Sequence, residues 1–242
     1  DALSSNVTGA DNAAFGYKTM EDNTTGGYNT ALGGYSLKSN TTGSYNVAVG
    51  RTALNSNTTA SYNTAVGMYA LKDNTTGAYN TALGYNALPL SPTNTRTTAI
   101  GYNAMSTNAG VSDNNTAVGA QALLNNSTGD DNTAIGTYSM DANTTGSHNA
   151  AVGINSLGGN ISGEYNTAVG RLSMLGNTTG SWNTGLGNYA LGANTTASNN
   201  VGVGANALSA NTTGADNTAL GTFSLDANTT GIDNVAVGYD AL

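Results

Sequence analysis

The chain predicts an all-β fold: a parallel β-solenoid (β-roll) of about fourteen 17-residue coils with two short strands per coil, packed side by side in an oligomer. Three observations carry the expectation. A glycine recurs at Gly16, Gly33, Gly50, Gly67, Gly84, Gly101, Gly119, Gly136, Gly153, Gly170, Gly187, Gly204, Gly221 and Gly238, and every step is 17 residues except Gly101 to Gly119, which is 18. No copy has the 3.6-residue apolar spacing of a helix, and the unit is too short for a helix pair. Most copies carry an Asn-Thr-Thr-Gly cluster or a close variant, which has the chemistry of a turn. Self-similarity at so short a period is the mark of units that bury a core only by stacking.

Within one copy, Asn40 to Ser56, the segments around Asn46 to Val49 and Arg51 to Leu54 are each bounded by turn residues and are taken as the two strands. Gly50 and its equivalents are never replaced, as expected of a corner that needs positive φ. Ala60 and Ala197 stand where other coils have the glycine of Gly43, so that corner is expected to be less demanding. A large apolar residue follows each invariant glycine, as at Leu37, Leu54, Leu71, Leu88, Met105 and Leu123, and supplies the core. Alternation along Thr30-Ala31-Leu32 and its relatives puts a small residue on one face and a larger aliphatic on the other. Both faces look buried, the larger residue inside the coil and the Ala against a narrow gap, so coils of other chains are expected to pack on the Ala face.

The array is expected to run without interruption over 1–242, with coils starting near 6, 23, 40, 57, 74, 91, 108, 126, 143, 160, 177, 194, 211 and 228. It is irregular at 89–114. There Pro89 and Pro92 enter a turn, Ser91-Pro92-Thr93 marks a bulged loop or kink, and one residue is inserted between Asn108 and Asn115. Asp1-Ala2-Leu3 has the register of Asp240-Ala241-Leu242 and neither end carries a polar cap, so the expectation is a segment of a longer or processed array.

Composition excludes several function classes. Lys and Arg number 6 against 14 Asp and Glu, a formal net charge of −8, so the basic stripe that neutralises phosphates is lacking and no nucleic-acid partner is expected. Charged residues are only 8% and apolar ones 38%; the polarity is mostly uncharged Asn, Thr and Ser, which argues against disorder driven by charge. There is no Cys and a single His, His148, so disulfides and transition-metal sites are not expected, and no cofactor is. No apolar run reaches bilayer length, so no membrane insertion by this segment is expected.

The segments Tyr45-Asn46-Val47-Ala48-Val49-Gly50, Asn114-Asn115-Thr116-Ala117-Val118-Gly119 and Asp131-Asn132-Thr133-Ala134-Ile135-Gly136 resemble the Asn-Ser-Val-Ala-Ile-Gly repeats in the heads of trimeric autotransporter adhesins. Similar Asn-Thr-Thr-Gly arrays occur in bacterial and phage tail-fibre-like proteins. The resemblance covers nearly the whole chain on a short motif. It implies a left-handed parallel β-roll, three chains side by side, used as a surface-exposed stalk or binding head. This chain departs in its longer coil and in the Tyr or Asp that stands where the family has its leading Asn.

Asn-x-Ser/Thr recurs at one corner of twelve coils, at Asn6, Asn23, Asn40, Asn57, Asn74, Asn126, Asn143, Asn160, Asn177, Asn194, Asn211 and Asn228. These are candidate N-glycosylation sites. The competing reading, which is preferred, has stacked Asn and Thr side chains bonding along the rod and satisfying turn backbone, since a glycan every ~4.8 Å would be crowded. Tyr28, Tyr45, Tyr62 and Tyr79 form one column to which Tyr165 and Trp182 return; it is interrupted by Asp11, Asp131, Asp216 and Asp233, so it reads as structural stacking rather than a sugar platform. Acidic residues form no calcium-loop pattern, Gly202-Val203-Gly204 is followed by no helix, and His148 has no nucleophile pattern beside it.

The expectation is therefore a non-enzymatic structural or adhesive fibre segment, a stalk, head or filament subunit, at an extracellular or cell or virion surface. Its partners would be copies of itself, as a trimer or filament, and cell-surface or glycan ligands. The alternative is a dedicated surface-binding solenoid with a glycan-binding, glycan-decorated or ice-binding face. The adjacent Thr24 and Thr25 lie in a turn and do not give the two Thr columns on one strand face that ice binding asks for.

Overall fold

A computed structural model describes residues 1–108 and 110–242. It is an all-β, parallel β-solenoid of about 17 residues per turn, and its described residues contain no helix. They fall into two compact units, Asp1–Ala120 and Gln121–Leu242.

The first unit holds β1 (Ala13–Phe15), β2 (Thr30–Leu32), β3 (Val47–Val49), β4 (Thr64–Val66), β5 (Thr81–Leu83), β6 (Thr98–Ile100) and β7 (Thr116–Val118). Each pairs in parallel with the next, residue on residue one coil later, as in Val47↔Thr64, Ala48↔Ala65 and Val49↔Val66. The second unit repeats the plan with β8 (Thr133–Ile135), β9 (Ala150–Val152), β10 (Thr167–Val169), β11 (Thr184–Leu186), β12 (Val201–Val203), β13 (Thr218–Leu220) and β14 (Val235–Val237). Parallel neighbours one coil apart are what a solenoid with a constant repeat must produce.

Each coil has one strand, not two. The segment expected to be the second strand is a run of turns, because Thr52 and Leu54 lie in the left-handed region at φ 57° and 51°. Tyr45, at φ 59°, is a third such residue in the same coil, and its counterparts recur through both units. Side chains other than Gly, Asn and Asp seldom adopt this conformation, since Cβ crowds the following carbonyl. Stacking compensates: Leu54 N–H donates to Ala70 O at 2.9 Å, Thr52 N–H to Gly34 O at 3.0 Å and Tyr45 N–H to Gly27 O at 3.1 Å. Strained torsions persist where neighbours over-determine them, and here a coil inside either unit is bonded to the one before and the one after.

The invariant glycine column behaves as expected. Gly50 sits at φ 127°, and a Cβ there would press on the carbonyl of Gly67 in the next coil. The Gly43 corner is narrow for a different reason, close approach without positive φ, since a Cβ would meet Ala60 O. Ala60 and Ala197 nonetheless occupy that corner, 4% and 5% exposed.

The interior is the reverse of the expected one. The strand's middle Ala points into the coil and is fully buried at Ala48, Ala65, Ala82 and Ala99, and again at Ala134, Ala151 and Ala168. The larger aliphatic faces out, half-buried at Val49 and Val66 and exposed at Leu32 and Leu83. One coil is too thin to hold both large side chains. The core room is taken by Leu54, fully buried like Leu37, Leu71, Leu123 and Leu191, beside a buried Ala or Ser such as Ala53 or Ser156. Where Ser stands, its hydroxyl is satisfied: Ser156 Oγ donates to Ala168 O at 2.8 Å.

The irregular stretch is absorbed locally. The strand register steps by one extra residue between β6 and β7, pairing Thr98 with Thr116. Ser112 takes the rung above Asn94, its N–H donating to Asn94 Oδ1 at 3.2 Å, and Asn108 Nδ2 donates to Ser112 Oγ at 2.7 Å. Ala109, within the predicted insertion, lies outside the described residues.

Candidate functional site

The sequon asparagines form a buried ladder. In the first unit Asn40 Nδ2 donates to Asn23 Oδ1 at 2.7 Å and to Gly43 O at 2.9 Å, while Asn40 Oδ1 accepts from Asn57 Nδ2 at 2.8 Å. The second unit repeats this at Asn160, which donates to Asn143 Oδ1 at 2.7 Å and accepts from Asn177 at 2.8 Å. Asn23, Asn40, Asn57, Asn74, Asn126, Asn143, Asn160, Asn177, Asn194 and Asn211 are all fully buried. A glycan on those nitrogens is incompatible with the folded coil, because it would replace an N–H donor and demand space that is filled. Asn6 is exposed and Asn228 half-buried, and these are the two sequon residues with access to solvent.

A second asparagine ladder was not recognised in the sequence as a separate device. Asn12, Asn29, Asn46, Asn63 and Asn80 recur one coil apart in the first unit, as do Asn132, Asn149, Asn166, Asn183, Asn200, Asn217 and Asn234 in the second. Asn46 N–H and Nδ2 both donate to Asn29 Oδ1, at 2.9 and 3.1 Å, and Nδ2 also reaches Ala60 O at 2.9 Å. The near-invariance of this column, broken by Thr97 in the first unit, was the signal that could have found it.

The Thr24 column is also structural. Thr24 Oγ1 donates to Thr41 O at 2.9 Å and Thr41 Oγ1 to Thr58 O at 3.0 Å, whereas Thr25, Thr42 and Thr59 are exposed beside them. The aromatic column is a true stack: Tyr28, Tyr45, Tyr62 and Tyr79 lie 4.9 to 5.2 Å apart with planes within 2°. In the second unit His148, Tyr165 and Trp182 continue the motif at 4.7 and 4.1 Å. A ring between two others has both faces covered, which removes the face a sugar would use. His148 Nδ1 lies 3.7 Å from Asp131 Oδ2, and both side chains are exposed.

Among the described residues, ion pairs are most densely grouped in the first coils of the first unit. Lys18 and Lys38 flank Glu21 at 3.0 and 3.3 Å, and Lys38 also reaches Asp22 at 3.3 Å. The hydrogen bond from Lys18 holds the Glu21 carboxyl below its ordinary value, and that same bond raises Lys18. Burial lifts the Asp141 carboxyl, opposed by its own N–H and that of Ala142. Among the described residues no group of three or more His, Asp and Glu side chains is placed to hold a metal ion.

The exposed feature shared by both units is the outward strand row. Leu32, Val49, Val66, Leu83 and Ile100 run along the first unit, and Ile135, Val152, Val169, Leu186, Val203 and Leu220 along the second. Beside them on the same face, two residues earlier, stand mostly Thr, as at Thr64, Thr81, Thr98 and Thr167. No known protein family, curated protein or solved structure matches the chain.

Proposed function

We propose that this chain is a non-enzymatic extracellular structural and adhesive fibre segment whose coils associate side by side with further copies of the same chain, as a trimer or filament. The observation that carries the reading is the uncharged aliphatic row on the outward strand face, with Leu32 and Leu83 47% and 45% exposed. Extended apolar stripes on a protein surface mark association sites. A second copy fits such a stripe best, because the row advances at one coil per step and only a partner of the same pitch keeps Val and Leu in contact along its length. The resemblance to adhesin head repeats supports the extracellular, three-chain form of this reading.

Light scattering on the purified chain, with negative-stain images, tests it. The expected result is a trimer or larger assembly that Val49→Glu/Val66→Glu/Leu83→Glu converts to folded monomer. A wild-type chain that stays a folded monomer at high concentration overturns it.

A second reading, a dedicated water- or surface-ordering face, is favoured by one feature: Thr64 and Val66 project from the same side of β4, roughly 6.6 Å apart, and the pair recurs along the sheet. A thermal hysteresis assay decides it, and the side-by-side reading expects none because that face is covered.

A further inference from the structure

We propose that the break in the asparagine ladder is a binding site for one buried water molecule, which stands in for a side-chain amide that the repeat omits there. The site lies in the first unit between Asn74 and Ser91. Its ligand class is a small neutral molecule that donates two hydrogen bonds.

The regular coils define what the site must hold. A ladder asparagine uses both protons of its amide, one toward the asparagine of the preceding coil and one toward its own corner carbonyl. Asn57 Nδ2 donates to Asn40 Oδ1 at 2.8 Å and to Ala60 O at 3.0 Å, and Asn74 Nδ2 donates to Asn57 Oδ1 at 2.9 Å and to Gly77 O at 3.0 Å. The next residue in the column is Ser91, which has no amide to offer. Among the described residues, Asn74 Oδ1 is consequently the one buried side-chain polar atom that meets no hydrogen-bonding group of the protein.

The backbone around the break keeps its register instead of closing on the shorter side chain. Asp73 N–H donates to Pro89 O at 2.9 Å, and Thr75 and Thr76 N–H donate to Pro92 O at 2.9 and 3.0 Å, the same pattern that joins Thr41 and Thr42 to Thr58 O. Ser91 is therefore held over Asn74 as one ladder asparagine is held over another. Both residues are fully buried, so bulk solvent does not reach the acceptor. An amide oxygen left unpaired in such a place is costly, and a polar site with room for a water is where buried waters are found.

Two acceptors converge where the amide would be. A Cβ placed on Gly43 would meet Ala60 O, Asn40 Oδ1 and Asn57 Nδ2, whereas a Cβ placed on Gly77 would meet the equivalent Asn94 O and Asn74 Oδ1, and then Thr93 C in place of an amide nitrogen. Asn94 O accepts from Asn80 Nδ2 at 2.6 Å, and a carbonyl has a second lone pair, which Gly43 O uses in accepting from both Asn29 and Asn40. Ser91 Oγ, 3.4 Å from Leu88 O, supplies a third polar neighbour. Water donates two bonds and accepts others, and buried waters make about three in all. A cation fits less well: oxygen-bound Ca²⁺ takes about 6–8 ligands, and no carboxylate of the ladder offsets a buried charge.

Oxygen-17 magnetic relaxation dispersion, which counts long-lived internal waters, tests this on the intact chain. Ser91→Asn supplies the amide and is expected to hold one such water fewer than the wild type, while the exposed Thr42→Ala is expected to hold the same number. A high-resolution crystal structure of the wild type gives a second reading that needs no variant to fold: a water is expected within hydrogen-bond distance of both Asn74 Oδ1 and Asn94 O. Equal counts in the wild type and Ser91→Asn overturn the proposal, as does a crystal structure in which Asn74 Oδ1 contacts protein groups alone. A melting temperature that rises with sodium or ammonium chloride in the wild type but not in Ser91→Asn also overturns it, by assigning the site to a cation. Ser91 is buried and away from the outward strand row, so the assembly state reads out the fibre proposal separately.

Discussion

Asn29 and Asn40 donate to the same acceptor: each places its side-chain Nδ2 2.9 Å from Gly43 O. They come from successive coils and from different ladders, Asn40 from the coil of Gly43 itself and Asn29 from the coil before. The carbonyl of the Gly43 corner is thus the point at which the two asparagine columns are tied together, and the corner's small residue leaves room for both amides.

Asn40→Ala should be strongly destabilising although it deletes no apolar surface. It removes two donated bonds and strands Asn57 Nδ2 and Asn23 Oδ1 in a buried site, and at about 1–3 kcal/mol per unsatisfied group the loss should reach roughly 3 kcal/mol. Thermal melting followed by circular dichroism measures it; a change no larger than that of an exposed Thr42→Ala control would contradict the ladder's role.

The ladder has a gap that can be mended. Asn74 Oδ1 is buried with no partner, because the next coil has Ser91 in the asparagine column. Ser91 Oγ instead makes a long contact of 3.4 Å to Leu88 O. Ser91→Asn supplies the missing amide and should stabilise the first unit by about 1 kcal/mol.

The two glycine corners should respond differently to the same change. Gly50→Ala forces a side chain into φ 127° and onto the Gly67 carbonyl, and should cost about 3 kcal/mol. Gly43→Ala also presses a Cβ on a backbone carbonyl, that of Ala60, but needs no positive φ and enters a corner that Ala60 and Ala197 already occupy, so it should cost less than Gly50→Ala. Equal losses at the two positions would show that φ is not what separates them.

Thr52 is a β-branched residue held at φ 57°, where other coils have Asn86, Asn103 and Asn206. Asparagine enters the left-handed region more readily, so Thr52→Asn should raise stability by roughly 0.5–1 kcal/mol despite losing the hydroxyl's bond to Arg51 O. An unchanged or lower melting temperature would contradict it.

Asp141 gives the second unit a pH dependence. Burial lifts its carboxyl above the ordinary value of 3.8. The folded chain therefore keeps a proton that the unfolded chain has released, and this group's contribution makes stability fall as pH rises from 3.8 through the raised value. Asp141→Asn should remove that slope and raise the melting temperature at neutral pH, because the ionised carboxylate no longer has to be held beside Gly158. Melting curves across pH 3 to 7 compare the two chains; identical slopes would assign the effect elsewhere.

The period, the parallel stacking and the turn columns were legible in the residues, because a constant spacing of Gly50-type and Leu54-type positions admits only a stacked coil. So was the structural use of Asn40 and Tyr45, whose columns recur where neighbouring coils bring like side chains together. The left-handed torsions of Thr52 and Leu54 were not, since nothing in those side chains favours positive φ and only bonds from adjacent coils hold them there. Nor was the direction of the strand: Ala48 and Val49 alternate in either case, and which one faces in depends on the room left after Leu54 fills the interior. Sequence by itself determined the repeat and its chemistry from coil to coil. Tertiary structure decided what lies inside a coil, because that is settled by volume and by hydrogen bonds between coils, neither of which a single repeat contains.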